Sequence, residues 1–431
     1  MRRIKKFRHG GLYQRGQAFV GGQSIENAYL PNHALLIFRE HEAAGEPDLA
    51  VNEGQLVNEG QLLAKATRNN ALNVHASIPG IVRKIMTIPS PEGFNTRALV
   101  LSLQGHFKLN GAISGKRPWQ SLNRHELSFV LQEKGVACTA TGLGLHQILG
   151  NAHGVDTLII NAIDSTNYPA HEIVILEEYL NEVMEGCAII KKASTVQSVL
   201  VALSGSRNQK LEVNIAKAAE SFDLQYRIEY FSDKYPQAFP HQIISALGVN
   251  KNKNPCLFLV PGTLYAVYNA VSLNRPHIDQ FVTFGGDVLK HHQLLKVRIG
   301  TPVGRLIEEC GGFIHAPEII ALNNPMVNGC ISNLDTPVSK TTRSVWALSK
   351  SATRLGVPDN CIRCGACIQV CPERLDPYLM YKLLGSGSIE KIRGQLDACT
   401  SCGACSYVCR SRIPLSVHFK NKKKEKLKDE Q

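Results

Sequence analysis

Cys361-Ile-Arg-Cys-Gly-Ala-Cys-Ile-Gln-Val-Cys371 is followed by Cys399-Thr-Ser-Cys-Gly-Ala-Cys-Ser-Tyr-Val-Cys409, the same cysteine spacing met twice. Three thiolates two residues apart can wrap one face of a cubane cluster, while the fourth, three residues further on, points away from that face and ligates the other cluster. The spacing therefore predicts two 4Fe-4S centres that exchange ligands. Cys361, Cys364, Cys367 and Cys409 hold one centre, and Cys399, Cys402, Cys405 and Cys371 hold the second. Centres that share ligand runs sit close together and suit a relay of single electrons.

Zinc knuckles and disulfides are the bland alternatives. Zinc sites use two separated ligand pairs, and a doubled run ending in Cys371-Pro372 fits that pattern poorly. Gly365 and Gly403 each follow the second cysteine of a run, where a side chain would strain the turn and block the approach of amides to sulfur.

The chain has 431 residues, enough for two to four domains, with 44% hydrophobic and 6% aromatic content. No apolar run reaches the length of a membrane span, and the start Met-Arg-Arg-Ile-Lys-Lys lacks the apolar segment of a signal peptide, so a cytoplasmic location is expected. Thirteen cysteines in such a chain point to metal binding. Cys138, Cys187, Cys256, Cys310 and Cys330 stand outside the motifs and are expected to be small buried hydrophobes. The net charge of +12 is partly terminal, with Arg2, Arg3, Lys5, Lys6 and Arg8 at one end and Lys420, Lys422, Lys423, Lys424, Lys426 and Lys428 at the other. Such ends bind nucleic acid, lie on anionic headgroups or are simply solvated. Without interleaved aromatics or a recognition motif, no nucleic-acid partner is expected.

Five segments follow from the patterning. Residues 1–110 read as short strands broken by glycine turns, with Val51-Asn-Glu-Gly-Gln-Leu repeated at once as Val57-Asn-Glu-Gly-Gln-Leu. Together with His75-Ala-Ser-Ile-Pro-Gly this resembles the barrel-sandwich hybrid of lipoyl and biotinyl domains. No lysine lies between Lys65 and Lys84 to carry a swinging arm, so a packing module is expected, with His75 filling a turn. Residues 115–275 alternate helix and strand signals and read as a doubly wound α/β domain. Helices are expected at 124–133 and 172–184, and strands at 156–161, 212–215 and 256–260. Ligands of such a sheet lie at the carboxyl ends of the strands, which singles out Gly142 and Gly144 and the loop after Asn161. Residues 276–350 read as a β-grasp domain, 351–419 as a mainly helical two-cluster ferredoxin domain, and 420–431 as a basic tail.

In this order the chain resembles the RnfC family, a component of the Rnf-type electron-transport complex. The resemblance runs from His9-Gly-Gly to the tail. It rests on the two cysteine runs with Ile413-Pro-Leu, and on Val282-Thr-Phe-Gly-Gly, Ile299-Gly-Thr-Pro-Val, Pro261-Gly-Thr-Leu-Tyr-Ala-Val, Lys234-Tyr-Pro-Gln and Pro325-Met-Val-Asn-Gly. It implies a complex I flavoprotein-like α/β domain, an SLBB-like β-grasp domain and a peripheral iron-sulfur subunit of an ion-translocating oxidoreductase. It also implies membrane-embedded partner subunits, ferredoxin or NADH as redox partner, and a place on the cytoplasmic face of the inner membrane.

FMN would sit in the α/β domain of such a subunit, with Gly142, Gly144, Asn161 and Asp164 as the remaining candidates to hold it. The family's flavin loop reads GGAGFPT, whereas the corresponding stretch is Ala137-Cys-Thr-Ala-Thr-Gly-Leu-Gly-Leu-His146. The acidic NGAECEPY becomes Asn161-Ala-Ile-Asp-Ser-Thr-Asn-Tyr168, and YPQGGE becomes Tyr235-Pro-Gln-Ala-Phe-Pro240. Side chains at former glycines weaken a cradle built from open amides. In the second cysteine run the family's Cys-Pro is Cys409-Arg410; given the ligand swap, the arginine either sets a cation beside the first cluster and raises its potential or points into solvent and is screened. Two other readings fit the same residues: a docking subunit with clusters but no flavin, and a soluble NADH-dependent reductase of the cobalamin-reducing type.

Overall fold

The computed structural model describes residues 4–13, 24–106, 109–111, 113–164, 171–205, 208–249, 255–327, 329–353 and 356–429. Arg2, Arg3, residues 165–168 of the loop after Asn161, Asn328 and residues 430–431 lie outside the described residues, as do the side chains of Lys424, Lys426 and Lys428.

The repeated Val-Asn-Glu-Gly-Gln-Leu makes the same turn twice. The Asn52 amide donates to the Gln55 side chain at 3.0 Å, and the Asn58 amide to the Gln61 side chain at 3.0 Å. Gly54 and Gly60 follow with φ of 82° and 76°, where an L side chain is strained. The first copy leads into Leu56–Val57 of a four-stranded sheet and the second into Leu62–Lys65 of a three-stranded one. Val51, Val57, Leu63, Val74, Val82, Leu99 and Leu101 fill the space between the sheets. His75 lies in this core, and burial pushes its pKa down to about 3, with Lys340 and Lys134 adding to the shift, so the ring is neutral.

In the α/β unit the strands Gln225–Phe231, Ser198–Ser204, Thr157–Ala162 and Cys256–Leu259 lie in that order, all parallel. The two inner strands are apolar because helices cover both their faces. Here the structure corrects two sequence expectations. Residues 212–215 are helix rather than strand, inside Gln209–Ser221, which buries Leu211, Ile215, Ala218 and Ala219. That stripe has helical period, and Asn208 caps it by accepting from the Leu211 amide at 3.1 Å, but a four-residue window cannot show either signal. The helix expected over 172–184 is two, Glu172–Glu178 and Leu180–Ala193, broken at Tyr179 with φ of −114°. Strands Ser198–Ser204 and Gln225–Phe231 complete the sheet without having been singled out in the sequence.

The β-grasp sheet runs Cys330–Ile331, Ile319–Leu322, Ser344–Leu348, Asp279–Gly285, Gln293–Arg298, Ile25–Asn27, with helix Val303–Glu309 packed on it. Its last strand comes from the stretch expected to lie wholly in the hybrid domain. Residues 4–13 leave that domain too: Lys5 bridges to Phe231, and Leu12–Tyr13 pairs with Lys234–Tyr235 of the α/β unit. The N-terminal stretch is thus an arm that stitches domains together.

The cysteine runs lie among short helices, chiefly Ala366–Val370, Pro377–Gly385, Arg393–Ala398 and Ala404–Tyr407. The basic tail belongs to a helix, Leu415–Asp429, whose Leu415 and Phe419 are buried against Met380, Ile392 and Leu396. Lysine and glutamate are good helix formers, so a lysine-rich end that starts from two buried anchors continues the helix.

Where three domains meet, Lys340 of the β-grasp unit is buried, its Nζ donating to the Gly135 carbonyl at 2.8 Å. Its amide donates to Glu40 of the hybrid domain at 3.0 Å. Burial outweighs their attraction on both sides, pushing Glu40 up to about 7 and Lys340 down. Buried His277 stands against the same lysine, its pKa lowered by burial and then by Lys340. Lys340→Met should destabilise the protein by about 3–5 kcal/mol at pH 8, since it strands a buried carboxylate. The loss should shrink at pH 5.5. Glu40, whose folded pKa lies above the unfolded one, keeps its proton-linked stabilisation at low pH and loses it as pH rises through about 7. Urea unfolding at the two pH values checks this; an equal loss at both would contradict it.

Candidate metal centre

The two cysteine runs share one backbone plan at an offset of 38 residues. Arg363 and Ser401 have φ of 55° and 54°, Gly365 and Gly403 have 72° and 79°, and Arg374 and Arg412 have 57° and 56°. Left-handed backbone at a non-glycine residue is uncommon and gathers where a site demands it. Each early turn aims an amide at sulfur: Arg363 N–H donates to Cys361 Sγ and Ser401 N–H to Cys399 Sγ, both at 3.4 Å. Leu375 N–H donates to Cys371 Sγ at 3.4 Å.

Two cavities lie between the runs, and each draws its thiols from both. One is lined by Cys361, Cys364, Cys367 and Cys409, and the other by Cys371, Cys399, Cys402 and Cys405. Among the described residues no three His, Cys, Asp or Glu groups converge on a point where a single ion could be held. The thiols are spread around cavity walls, as a multi-atom cluster requires and a tetrahedral zinc ion does not. The donor set, the aimed amides and the strained turns all fit an iron-sulfur cluster. Burial pushes the Cys402 thiol up to about 11 and raises Cys405 as well, so these sulfurs become thiolates only against a compensating cation such as iron.

The cavities differ in setting. Cys364 is exposed, whereas its counterpart Cys402 is buried. Around Cys402 the α/β unit and the β-grasp unit close in. Tyr235, fully buried, donates its hydroxyl to the Cys402 carbonyl at 2.5 Å and accepts from the Asn324 side chain at 3.1 Å. A Cβ on Gly403 would stand 2.0 Å from the Met326 carbonyl. On the first run, Gly11 N–H donates to the Val370 carbonyl at 2.7 Å, and a Cβ on Gly10 would lie 2.3 Å from the Cys371 carbonyl. His9-Gly-Gly, Tyr-Pro-Gln and Pro-Met-Val are therefore the pieces that seat the cysteine runs on the rest of the chain.

The residues expected to hold a flavin are engaged by the protein itself. A Cβ on Gly142 would meet the Glu40 carbonyl at 2.4 Å, and one on Gly144 the His146 ring at 2.6 Å. Asn161 donates its side-chain amide to the Ala238 carbonyl at 2.8 Å, and Asp164 N–H donates to the Ser204 hydroxyl at 3.3 Å. Helix Pro261–Val271 begins at the carboxyl end of a strand, where a phosphate would be drawn. Glu172 occupies that end: its carboxylate accepts from Gly262 N–H at 3.0 Å and from Arg343 at 3.3 Å. Thr263 accepts from Thr139 N–H at 3.0 Å beside it. The described residues do not fit an FMN phosphate. Glu172 was not legible as part of this crevice, because in the sequence it only opens an apolar helix. Of the remaining cysteines, Cys138, Cys187 and Cys310 are buried as expected, Cys256 is half-buried, and Cys330 is exposed in a short edge strand.

Residues 5–106 match the family model of the RnfC barrel sandwich hybrid domain, and residues 355–410 that of a 4Fe-4S dicluster domain. The chain is 28% identical over 392 residues to the C component of the proton-translocating ferredoxin:NAD(+) oxidoreductase complex of Clostridium ljungdahlii, covering 88% of this chain and 84% of that one. It is 28% identical over 396 residues to the C component of the ion-translocating oxidoreductase complex of Rhodobacter capsulatus, covering 88% and 75%. With the component of that name from Erwinia tasmaniensis the identity is 29% over 394 residues, covering 86% of this chain and 47% of that longer one. No helix among the described residues is long and apolar enough to cross a membrane.

The two glycines that follow the second cysteines carry different loads. Gly365→Ala should cost about 1–2 kcal/mol, the penalty of left-handed backbone alone, since nothing lies within 4 Å of its Cβ position. Gly403→Ala should cost more than twice as much, because it meets main chain. Denaturant unfolding of the cluster-loaded protein measures both, and equal losses would refute the assignment.

Proposed function

We propose, from the premise that this chain is RnfC-like along most of its length, that it is the iron-sulfur electron-transfer subunit of an ion-translocating ferredoxin:NAD oxidoreductase complex. Two 4Fe-4S clusters exchange electrons one at a time, the first on Cys361, Cys364, Cys367 and Cys409 and the second on Cys371, Cys399, Cys402 and Cys405. The observation that carries this reading is that each four-thiol cavity takes three lining cysteines from one run and the fourth from the other. The protein's own part is to hold the thiols at fixed spacing, to aim amides at their sulfurs, and to keep water from the second cavity with Tyr235 and the Met326 loop. Ion movement belongs to membrane-embedded partner subunits, against which this chain sits peripherally at the cytoplasmic face. Ferredoxin or NADH is the ultimate redox partner of the complex.

The filled crevice favours the reading in which this chain relays electrons without a flavin of its own. Glu172 and Arg343 stand where a phosphate would be bound, so hydride chemistry is assigned to another component. Anaerobic purification with iron, sulfide and flavin measured on one sample should give about eight irons and well under one flavin per chain. A full complement of FMN would overturn the second statement, and zinc in place of iron the first.

The exchange of fourth ligands is tested by paired substitutions. Cys361→Ser with Cys409→Ser should leave about four irons, as either does alone, because both strike one cluster. Cys399→Ser with Cys409→Ser should leave almost none. The reverse pattern would mean that each run serves its own cluster. Arg410 is exposed on the wall of the first cavity, and Arg410→Gln should lower the midpoint potential of that cluster alone in a redox titration.

A further inference from the structure

Aligning the two runs at their offset of 38 pairs Ile362 with Thr400, Arg363 with Ser401, Ile368 with Ser406 and Pro372 with Arg410. Burial alone would place the apolar members of these pairs on the enclosed run. The reverse is found for Ile362 against Thr400 and Ile368 against Ser406. The enclosed second cavity is lined by Thr400 and Ser401 of its run and by Ser416, whose hydroxyl is bonded to that of Ser406 at 2.9 Å. On the wall of the first cavity Ile362 is 62% exposed and Ile368 44% exposed; Leu379, which follows the lining Tyr378 in the chain, is 46% exposed, and Val357 is 86% exposed. The segment that carries Val357 runs beside the end of the second run: Asp359 N–H donates to the Ser411 carbonyl at 2.9 Å, and the Arg412 side chain lies against Gly356. Large apolar side chains left this exposed on the segments that carry and flank an exposed thiol cost solubility.

Charge frames the same surface. Arg363, Arg410 and Arg412 are exposed there, and none of them forms an ion pair among the described residues. Asp359 is the exposed acid of this face, while Asp376 is committed as a helix cap to the Leu379 amide at 2.9 Å. An apolar centre rimmed by arginine is the composition of a protein interface, and the excess of positive charge selects a partner of opposite sign.

We propose that the face around Cys364, made of Val357, Ile362, Ile368 and Leu379 with Arg363 and Arg410, docks an acidic one-electron carrier protein and is the port of the cluster relay. The proposal rests on the reading of the cysteine runs as cluster ligands. It adds which end of the relay meets the partner: the first cluster is at the docking face, and the second is enclosed by Tyr235 and the Met326 loop on the side of the chain's other domains.

The test uses the full chain with its clusters loaded, an acidic ferredoxin as protein probe and methyl viologen as small probe, with electron transfer followed by stopped-flow spectroscopy. Transfer with the ferredoxin should fall about tenfold between low and moderate salt, whereas the viologen rate should barely change. Val357→Glu and Leu379→Glu should each slow the ferredoxin step about tenfold. Iron content, the electron paramagnetic resonance of both clusters and the viologen rate should stay as in the parent protein. Lys391→Glu, a charge reversal on another exposed segment, should change neither rate. Intact clusters with an unchanged ferredoxin rate in both variants would overturn the docking face, as would a parent protein that reacts with viologen but not with ferredoxin. Binding to anionic vesicles lost in Val357→Glu, without any effect on ferredoxin, would make the face a membrane contact and overturn the proposal as well. A parent protein without iron would instead remove the cluster reading itself.

Discussion

Neither four-thiol cavity closes from a single cysteine run. Three sulfurs lie along one tight stretch, and the wall opposite is supplied by a cysteine at the far end of the other stretch. This reciprocity fixes the distance and relative orientation of the two halves, and it explains why turns 38 residues apart adopt the same left-handed backbone. Strain of that kind persists only where surrounding contacts hold it. The helices between the runs and the closing helix Leu415–Asp429 supply those contacts through Met380, Ile392, Leu396, Leu415 and Phe419.

The cysteine module is not an appendage on a linker. Gly10 and Gly11 reach it from the N-terminal arm, Tyr235 from the α/β unit and Met326 from the β-grasp unit, and each contact involves main chain. Main-chain contacts admit little adjustment, so the enclosed run cannot shift without the neighbouring domains. The Glu40–Lys340 junction does similar work at the other end, holding the hybrid domain to the β-grasp unit through the Lys340 amide bonded to buried Glu40 and the lysine head bonded to the Gly135 carbonyl. One consequence is directional: the protected end of the pair of cavities faces the body of the chain, and the open end faces solvent.

In the α/β unit, Glu172 with Arg343 stands at the start of helix Pro261–Val271, at the carboxyl edge of the sheet. Glu172 at the start of helix Pro261–Val271 answers the same electrostatic demand as a bound phosphate, since unpaired amides at a helix start attract negative charge. Arg343 neutralises that carboxylate from the neighbouring sheet.

The cysteine spacing by itself predicted which thiols line each of the two cavities and the helical nature of the region, because donor spacing acts at short range. Glycine turns announced the hybrid domain for the same reason: Gly54 and Gly60 act within a few residues of where they stand. Short windows failed where the signal was longer than the window, as at residues 212–215, whose helix shows only in the stripe from Leu211 to Ala219. Three things were decided by tertiary structure alone: Glu172 filling the crevice, the N-terminal arm joining foreign sheets, and Cys402 being enclosed while Cys364 stays open. Each depends on segments far apart in the chain, and no local pattern records which distant surface will cover a residue.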